Sequence, residues 1–351
     1  MSKASGQFTS IGGQAVIEGV MMRSPHFITI AVRRANQRIV MRSLSYLSVS
    51  ETFPFLKKPI LRGVVTLLES MVQGVGALGF SAQFAAEVDQ PDQPDQVLSQ
   101  WAIAGSILTA LFLAMGLFVA LPHFLTAWIT SSAAVPITAQ NPLFHFMDGC
   151  LKMAILLIYV YLIAWMKDIH RVFQYHGAEH KSIYAFEAGL DLTVENARKF
   201  STLHPRCGTS FLFFLMFMSI GVFSLVFPLF SLTELSLNPL LNHFYMVLIK
   251  IVLMLPVAGL AYEFIKACAF RMDHPFFRML IWPGMVLQKL TTREPDDAQL
   301  EVALASLKQV LCLEKKAAEY PAFTLQKNEL EIAQLSDLGQ VIAQVAEFPE
   351  A

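Results

Sequence analysis

The 351-residue sequence holds 55% hydrophobic and only 15% charged residues, with 26 Lys plus Arg against 27 Asp plus Glu and a formal net charge of -1. A soluble domain carries about a quarter charged residues, so this balance, with a mean hydropathy of +0.51, excludes an ordinary soluble enzyme. No basic patch interleaves with aromatics, which excludes nucleic acid as a partner; membrane lipid and another membrane protein are the partners expected.

Residues 1–10 are polar and lack the apolar core of a signal peptide. The glycine-punctuated run from Gly12 to Arg23 brings Gln14, Glu18 and Arg23 together. It is not a phosphate-binding loop, because no Gly-Lys-Ser/Thr follows, and it reads as a strand with a solvated Glu and Arg. Ile28, Ile30 and Val32 alternate with Thr29, Ala31 and Arg33, followed by Ile39 and Met41, which predicts a β-hairpin turning near Asn36. Residues 1–58 thus form a small cytoplasmic β-rich segment.

Residues 59–87 are largely apolar but contain Arg62, Glu69 and Gln73. A crossing there would force either the basic N-terminus or the later basic segments outside, so the segment reads as an amphipathic helix in the interface. Arg62 and Glu69, seven apart, share one face. Gly74, Gly76 and Gly79 match G-x-G-x-x-G, yet inside a helix they read as small residues packed against another helix, not as a dinucleotide loop. An acidic linker, 88–100, follows.

Four apolar runs, at about 101–128, 144–166, 208–232 and 244–270, are each about 20 residues or more and read as transmembrane helices. Lys152 in the second is expected to snorkel outward. Lys and Arg crowd the 167–207 loop and the segment after 270 but are absent from the other two loops. The positive-inside rule then places the loop and both termini in the cytoplasm of a bacterial inner membrane. Few ionisable residues fall at mid-bilayer depth, which weighs against a transporter. In the 271–351 tail, Leu300, Ala303, Leu304, Leu307 and Leu311 repeat at helical spacing behind Pro295, Asp296 and Asp297, and the signal fades beyond Tyr320. Scattered cysteines, Cys150, Cys207, Cys268 and Cys312, argue against a structural disulfide. The expected fold class is mainly α: a polytopic α-helical membrane protein of about four transmembrane helices, with a small N-terminal β-hairpin region and cytoplasmic amphipathic helices.

The sharpest chemical pattern is His176-Gly177-Ala178-Glu179-His180. On a helix, H-x-x-E-H sets two imidazoles one turn apart, a spacing that suits a divalent metal such as zinc, with the glutamate as base. An unbroken extension of the second span would carry this helix roughly 15 Å out of the membrane. A third ligand is needed, and His204 or Cys207, where the chain returns to the bilayer, are better placed than Glu187, two turns past His180. The competing reading is a polar helix near lipid headgroups without a metal.

Taken together, the segments Gly12 to Arg23, Tyr175 to Lys181, His204 to Ser210 and Leu290 to Pro295 resemble the YqhQ-like family of bacterial membrane proteins. The resemblance runs from about Ile11 to about Leu311. It implies a domain of unknown function labelled a predicted metal-dependent enzyme, a label that rests on motifs such as His176 to His180. The leading expectation is a cytoplasm-facing metal-dependent hydrolase, with His176 and His180 as ligands, Glu179 as general base and Arg206 positioning an anionic group. The alternative is a non-enzymatic membrane scaffold or assembly factor whose polar cluster docks a partner.

Overall fold

The computed structural model describes residues 11–89, 100–132, 137–138, 140–230, 238–269, 271–319, 325 and 328–339. Strands β1 (Gly12–Val16), β2 (Gly19–Arg23), β3 (Phe27–Arg33) and β4 (Ile39–Ser45) form an antiparallel meander. A fifth strand, β5 (Asn328–Ile332), returns from the C-terminal tail and pairs with β4, Ile332 opposite Ile39. The predicted hairpin is therefore part of a five-stranded sheet, completed by a segment beyond Tyr320 where periodicity carries no signal.

Helix α1 (Val49–Thr52) and a 3-10 turn (Pro54–Lys57) lead into α2 (Leu61–Asp89). Helix α3 (Gln100–Met115) runs through a π-helical turn (Gly116–Ala120) into α4 (Leu121–Ser131), and α5 (Pro142–Ile163) follows. Next come α6 (Lys167–Glu187), the short α7 (Val194–Arg198), and the long apolar α8 (Gly208–Phe230) and α9 (Pro239–Ala269). Helices α10 (Pro275–Thr291) and α11 (Asp297–Glu319) close the series, Asp296 capping α11 by accepting from Gln299 N at 2.8 Å.

Strand residues alternate between two buried faces. Val20, Met22, Phe27, Ala31, Ile39 and Met41 pack with α6 and α11, whereas Val16, Met21, Ile28, Ile30, Val32 and Val40 pack with Ala77 and Phe80 of α2. The sheet is thus covered on both sides, by α6 and α11 on one face and by α2 on the other. The turn between β1 and β2 places Glu18 at φ 52°, and Gly19 follows where a Cβ would lie 2.2 Å from the Ala31 carbonyl oxygen.

Among the described residues, five helical stretches, Leu61–Phe84, Leu108–Ser131, Pro142–Ile163, Gly208–Leu229 and Leu240–Ala269, are long and apolar enough to cross a membrane. The first belongs to α2, the segment expected to be interfacial. Its Gly63 meets Gly259 and Tyr262 of α9, and Arg62 forms an ion pair with Glu263, while its later turns lie under the sheet with Arg42 stacked 4.0 Å over Phe80. Leu68, Met71, Val72 and Val75 on its outward side are exposed.

Three expectations need correction. Lys152 does not snorkel: it is 2% exposed and lies 3.6 Å from Asp148 inside the bundle. The second span does not continue into the H-x-x-E-H helix, because Met166 leaves helical geometry (φ -71°, ψ 131°) and α6 starts anew at Lys167. Gly76 and Gly79 touch no neighbouring helix, and Gly74 accommodates Gln14 of the sheet rather than a helix.

Ile332 and Leu338 are buried in the core that α11 shares with the sheet. Truncation after Glu319 removes both and bares the edge of β4, so it should destabilise the protein by about 3–6 kcal/mol. Thermal unfolding followed by labelling of newly exposed thiols should show an earlier transition than full-length protein.

Candidate metal centre

Helix α6 brings His176 and His180 onto one face, their ring centroids 4.5 Å apart. Each ring is oriented by backbone from a different part of the chain. His176 Nδ1 lies 2.8 Å from the Thr291 carbonyl oxygen, and His180 Nδ1 lies 2.5 Å from that of Thr202. A carbonyl only accepts, so both Nδ1 atoms donate and both Nε2 atoms carry the free lone pair.

His176 Nε2 points toward Cys207, at the entrance of α8. The Cys207 sulfur lies 3.1 Å from His176 Nε2, and the three ligand atoms of His176, His180 and Cys207 fall within 4.8 Å of one another. Cys207 is fixed by its own N–H donating to the His204 carbonyl at 3.3 Å, and its sulfur accepts from Thr209 N at 3.4 Å. A thiol has one proton to donate. It cannot serve both imidazoles, and His180 Nε2 is buried with no hydrogen-bond partner among the described residues. An ion bound by all three atoms would satisfy each of them. The residues present therefore fit a divalent cation, and two imidazoles with a thiolate are a zinc donor set.

His204 is placed differently. Its backbone N–H donates to Gln288 Oε1 and its carbonyl accepts from Gln288 Nε2, both at 2.7 Å. Its Nδ1 accepts from Arg206 N at 3.3 Å, leaving Nε2 to face Glu187 at 3.5 Å. Burial lowers its pKa to about 4 and pushes that of His180 down as well, so both rings stay neutral at ordinary pH. Of the two third-ligand candidates, the structure brings Cys207 into the group and engages His204 elsewhere. Glu187 forms an ion pair with Arg206, so the arginine proposed to meet an anionic group is held by a carboxylate.

Glu179 sits on the sheet side of α6, 6% exposed, against β1. A Cβ on Gly13 would come within 2.8 Å of its Cγ. Burial raises the Glu179 carboxyl above the usual range, opposed by the nearby His176 and His204 and by the Gly13 backbone.

The remaining candidates lie outside this group and tie α2, α6 and α9 to one another or to the sheet and the segment that follows it. Glu18 pairs with Arg171 and accepts from the Tyr175 hydroxyl at 3.3 Å. Arg23 donates to Gln73 at 3.1 Å and to Tyr46 at 2.8 Å, and Glu69 accepts from Ser48 and Val49 N. Arg62 pairs with Glu263 rather than sharing a partner with Glu69. Two features of the site escaped the sequence: the orienting carbonyls of Thr202 and Thr291, which any residue type could supply, and Gly177, whose role is visible only in the signal that a glycine interrupts a chemical motif.

The family model described as "Protein of unknown function (DUF1385)" matches residues 58–313. The chain is 33% identical over 313 residues to "Uncharacterized protein YqhQ" of Bacillus subtilis (strain 168), which covers 86% of this chain and 92% of that protein. No solved structure matches.

A Cβ on Gly177 would stand 2.1 Å from the Arg293 carbonyl oxygen, whereas one on Gly208 meets nothing within 4 Å. Gly177→Ala should therefore lower the melting temperature by several degrees, at a cost of about 1–3 kcal/mol, while Gly208→Ala leaves it unchanged in the same measurement.

Proposed function

The chain belongs to the DUF1385 family, and from that premise we propose that it is a multi-pass protein of the bacterial cytoplasmic membrane with a divalent metal centre, zinc by its donors, serving a hydrolytic reaction on the cytoplasmic side. The observation that carries this reading is the convergence of one ligand atom each from His176, His180 and Cys207 within 4.8 Å, each imidazole being locked by a backbone carbonyl at its Nδ1. Metal-binding histidines are held in this way. Three protein ligands leave a fourth position open, the arrangement of catalytic rather than closed structural zinc sites.

A bound divalent ion supplies Lewis acidity. Glu179 takes up the proton of the attacking water at its carboxylate, and its burial favours the protonated product form. Arg206 orients an anionic substrate group by exchanging Glu187 for it. The Lys and Arg distribution of the loops supports the cytoplasmic placement of this face. Helix α2 then lies along the interface, its exposed Leu68, Met71, Val72 and Val75 against lipid and its opposite face under the sheet.

One observation favours a second reading, a scaffold without chemistry. The Glu179 side chain packs tightly on Gly13, as a group that holds helix to sheet would. In that reading the ion clamps α6 to the start of α8 and the surface above it docks a partner.

Protein purified without chelators should carry about one zinc per chain by elemental mass spectrometry. His176→Ala, His180→Ala and Cys207→Ala should lose it, and His204→Ala should keep it. Glu179→Gln should retain metal and fold yet fail to complement cells lacking the protein. Full complementation would remove the hydrolytic reading and leave the scaffold; absence of metal in the wild type would remove the metal centre altogether. Separately, single cysteines at the exposed Asp191 of the 167–207 loop and at Ser131, in a cysteine-free background treated with an impermeant thiol reagent on intact cells, should label at Ser131 only.

A further inference from the structure

A second polar cluster lies within the helical bundle, far from the histidine–cysteine group. Lys250 Nζ of α9 donates to Asp148 Oδ2 of α5 at 2.6 Å, and Lys152 Nζ approaches the same oxygen at 3.6 Å. Lys250 Nζ also lies 3.0 Å from His123 Nδ1 of α4, whose Nε2 lies 3.1 Å from His243 Nδ1. Asp148, Lys152, Lys250 and His123 are at most 2% exposed, while His243 is half-buried. Counted from the first residues of α5 and α9, His243 is about 6 Å, Asp148 about 9 Å and the two lysines about 15 Å deep at 1.5 Å per residue. That depth is the middle of a hydrocarbon core about 30 Å thick. Toward the other end, Leu156, Val160 and Met216 form an apolar layer with Leu212 and Met153.

The titratable side chains facing this space are His123 from α4, His145, Asp148 and Lys152 from α5, and His243 and Lys250 from α9; α8 and the π-helical turn bring none. Two ammonium groups therefore share one carboxylate, whose Oδ1 is buried without a hydrogen bond among the described residues. With both lysines protonated the cluster carries one uncompensated positive charge in a medium where charge is costly. Phe144, Phe223 and Phe227 stand 5.7–5.9 Å from Lys250 Nζ and favour its charged form. The cluster is one proton away from neutrality, and imidazoles lead from it toward the distal face, the face opposite the histidine–cysteine group.

We propose that Asp148, Lys250, His123 and His243 form a proton-binding array that loads and unloads through the distal face of the membrane and is closed toward the other face by the Leu156–Val160–Met216 layer. It rests on the helices crossing the membrane and is independent of the metal centre. In the unloading step, Lys250 Nζ gives a proton to His123 Nδ1, His123 Nε2 passes its own to His243 Nδ1, and His243 Nε2 releases one to water. One proton leaves, Lys250 becomes a neutral amine, and Lys152 remains paired with Asp148. Loading is the reverse.

The full-length chain, labelled with nitrogen-15 histidine in lipid nanodiscs, tests this by NMR between pH 5 and 9, the imidazole signals being assigned with His123→Asn and His243→Asn. His123 and His243 should titrate together. In Lys250→Met their transition should move up by about one pH unit, about tenfold in proton affinity, because a neighbouring positive charge is gone. Lys250→Arg, which keeps the charge and guards against a folding defect in Lys250→Met, should leave the transition in place. The exposed His26 should be indifferent to both. Signals of His123 that neither titrate nor respond to Lys250→Met would overturn the proposal and make the cluster static packing. A transition that moves when chloride is replaced by gluconate would also overturn it, since an anion would then supply the missing charge.

Discussion

Helix α6 approaches the backbone at Arg293 so closely that no side chain fits between them, and the candidate metal centre depends on that contact. Gly177 leaves room for the Arg293 carbonyl oxygen, and Arg293 N donates to Phe173 O at 2.9 Å, so the end of α10 is strapped to α6. The strap sets Thr291 O beside His176 Nδ1 and Thr292 N on Gln288 O. Gln288 in turn holds the His204 segment and Ser210, which fixes where Cys207 enters α8. Three remote stretches of chain are thereby brought to one point by backbone hydrogen bonds, each worth about 1 kcal/mol, and the side chains inherit their positions.

The sheet contributes rigidity on the other side of the same helix. Because α11 and α6 cover one face and α2 the other, α6 has little freedom to rotate without opening the core around Tyr175, Ala178 and Ile183. Lys181 is buried and satisfied by Glu294 and the Arg198 carbonyl, which ties the helix to both flanking loops. Preorganisation of this kind keeps two imidazoles aimed at one point rather than turned toward solvent.

Much of this was legible before the structure. The apolar runs, the hairpin and the amphipathic C-terminal helix follow from periodicity, and the His176–His180 pair from helical spacing alone. The sequence offers His204 and Cys207 alike as a third ligand, and only the packing brings Cys207 to the pair. Strand β5 was not legible, since Leu330 and Ile332 in Asn-Glu-Leu-Glu-Ile make too short an alternation to stand out from a polar tail. Lys152 departs from the snorkelling expectation because Asp148, one turn before it on α5, and Lys250, which meets the same carboxylate from α9, enclose its ammonium inside the bundle. The few buried ionisable residues of the apolar helices are gathered in one place, a feature that composition does not reveal.

The account's central claim is that two histidines and one cysteine share an ion. X-ray absorption spectroscopy on zinc-loaded protein in its native lipid tests it directly. The account predicts one sulfur at about 2.3 Å and two imidazole nitrogens at about 2.0–2.1 Å, with the sulfur contribution gone in Cys207→Ser. A first shell made only of nitrogen and oxygen in the wild type, unchanged by that substitution, would contradict it.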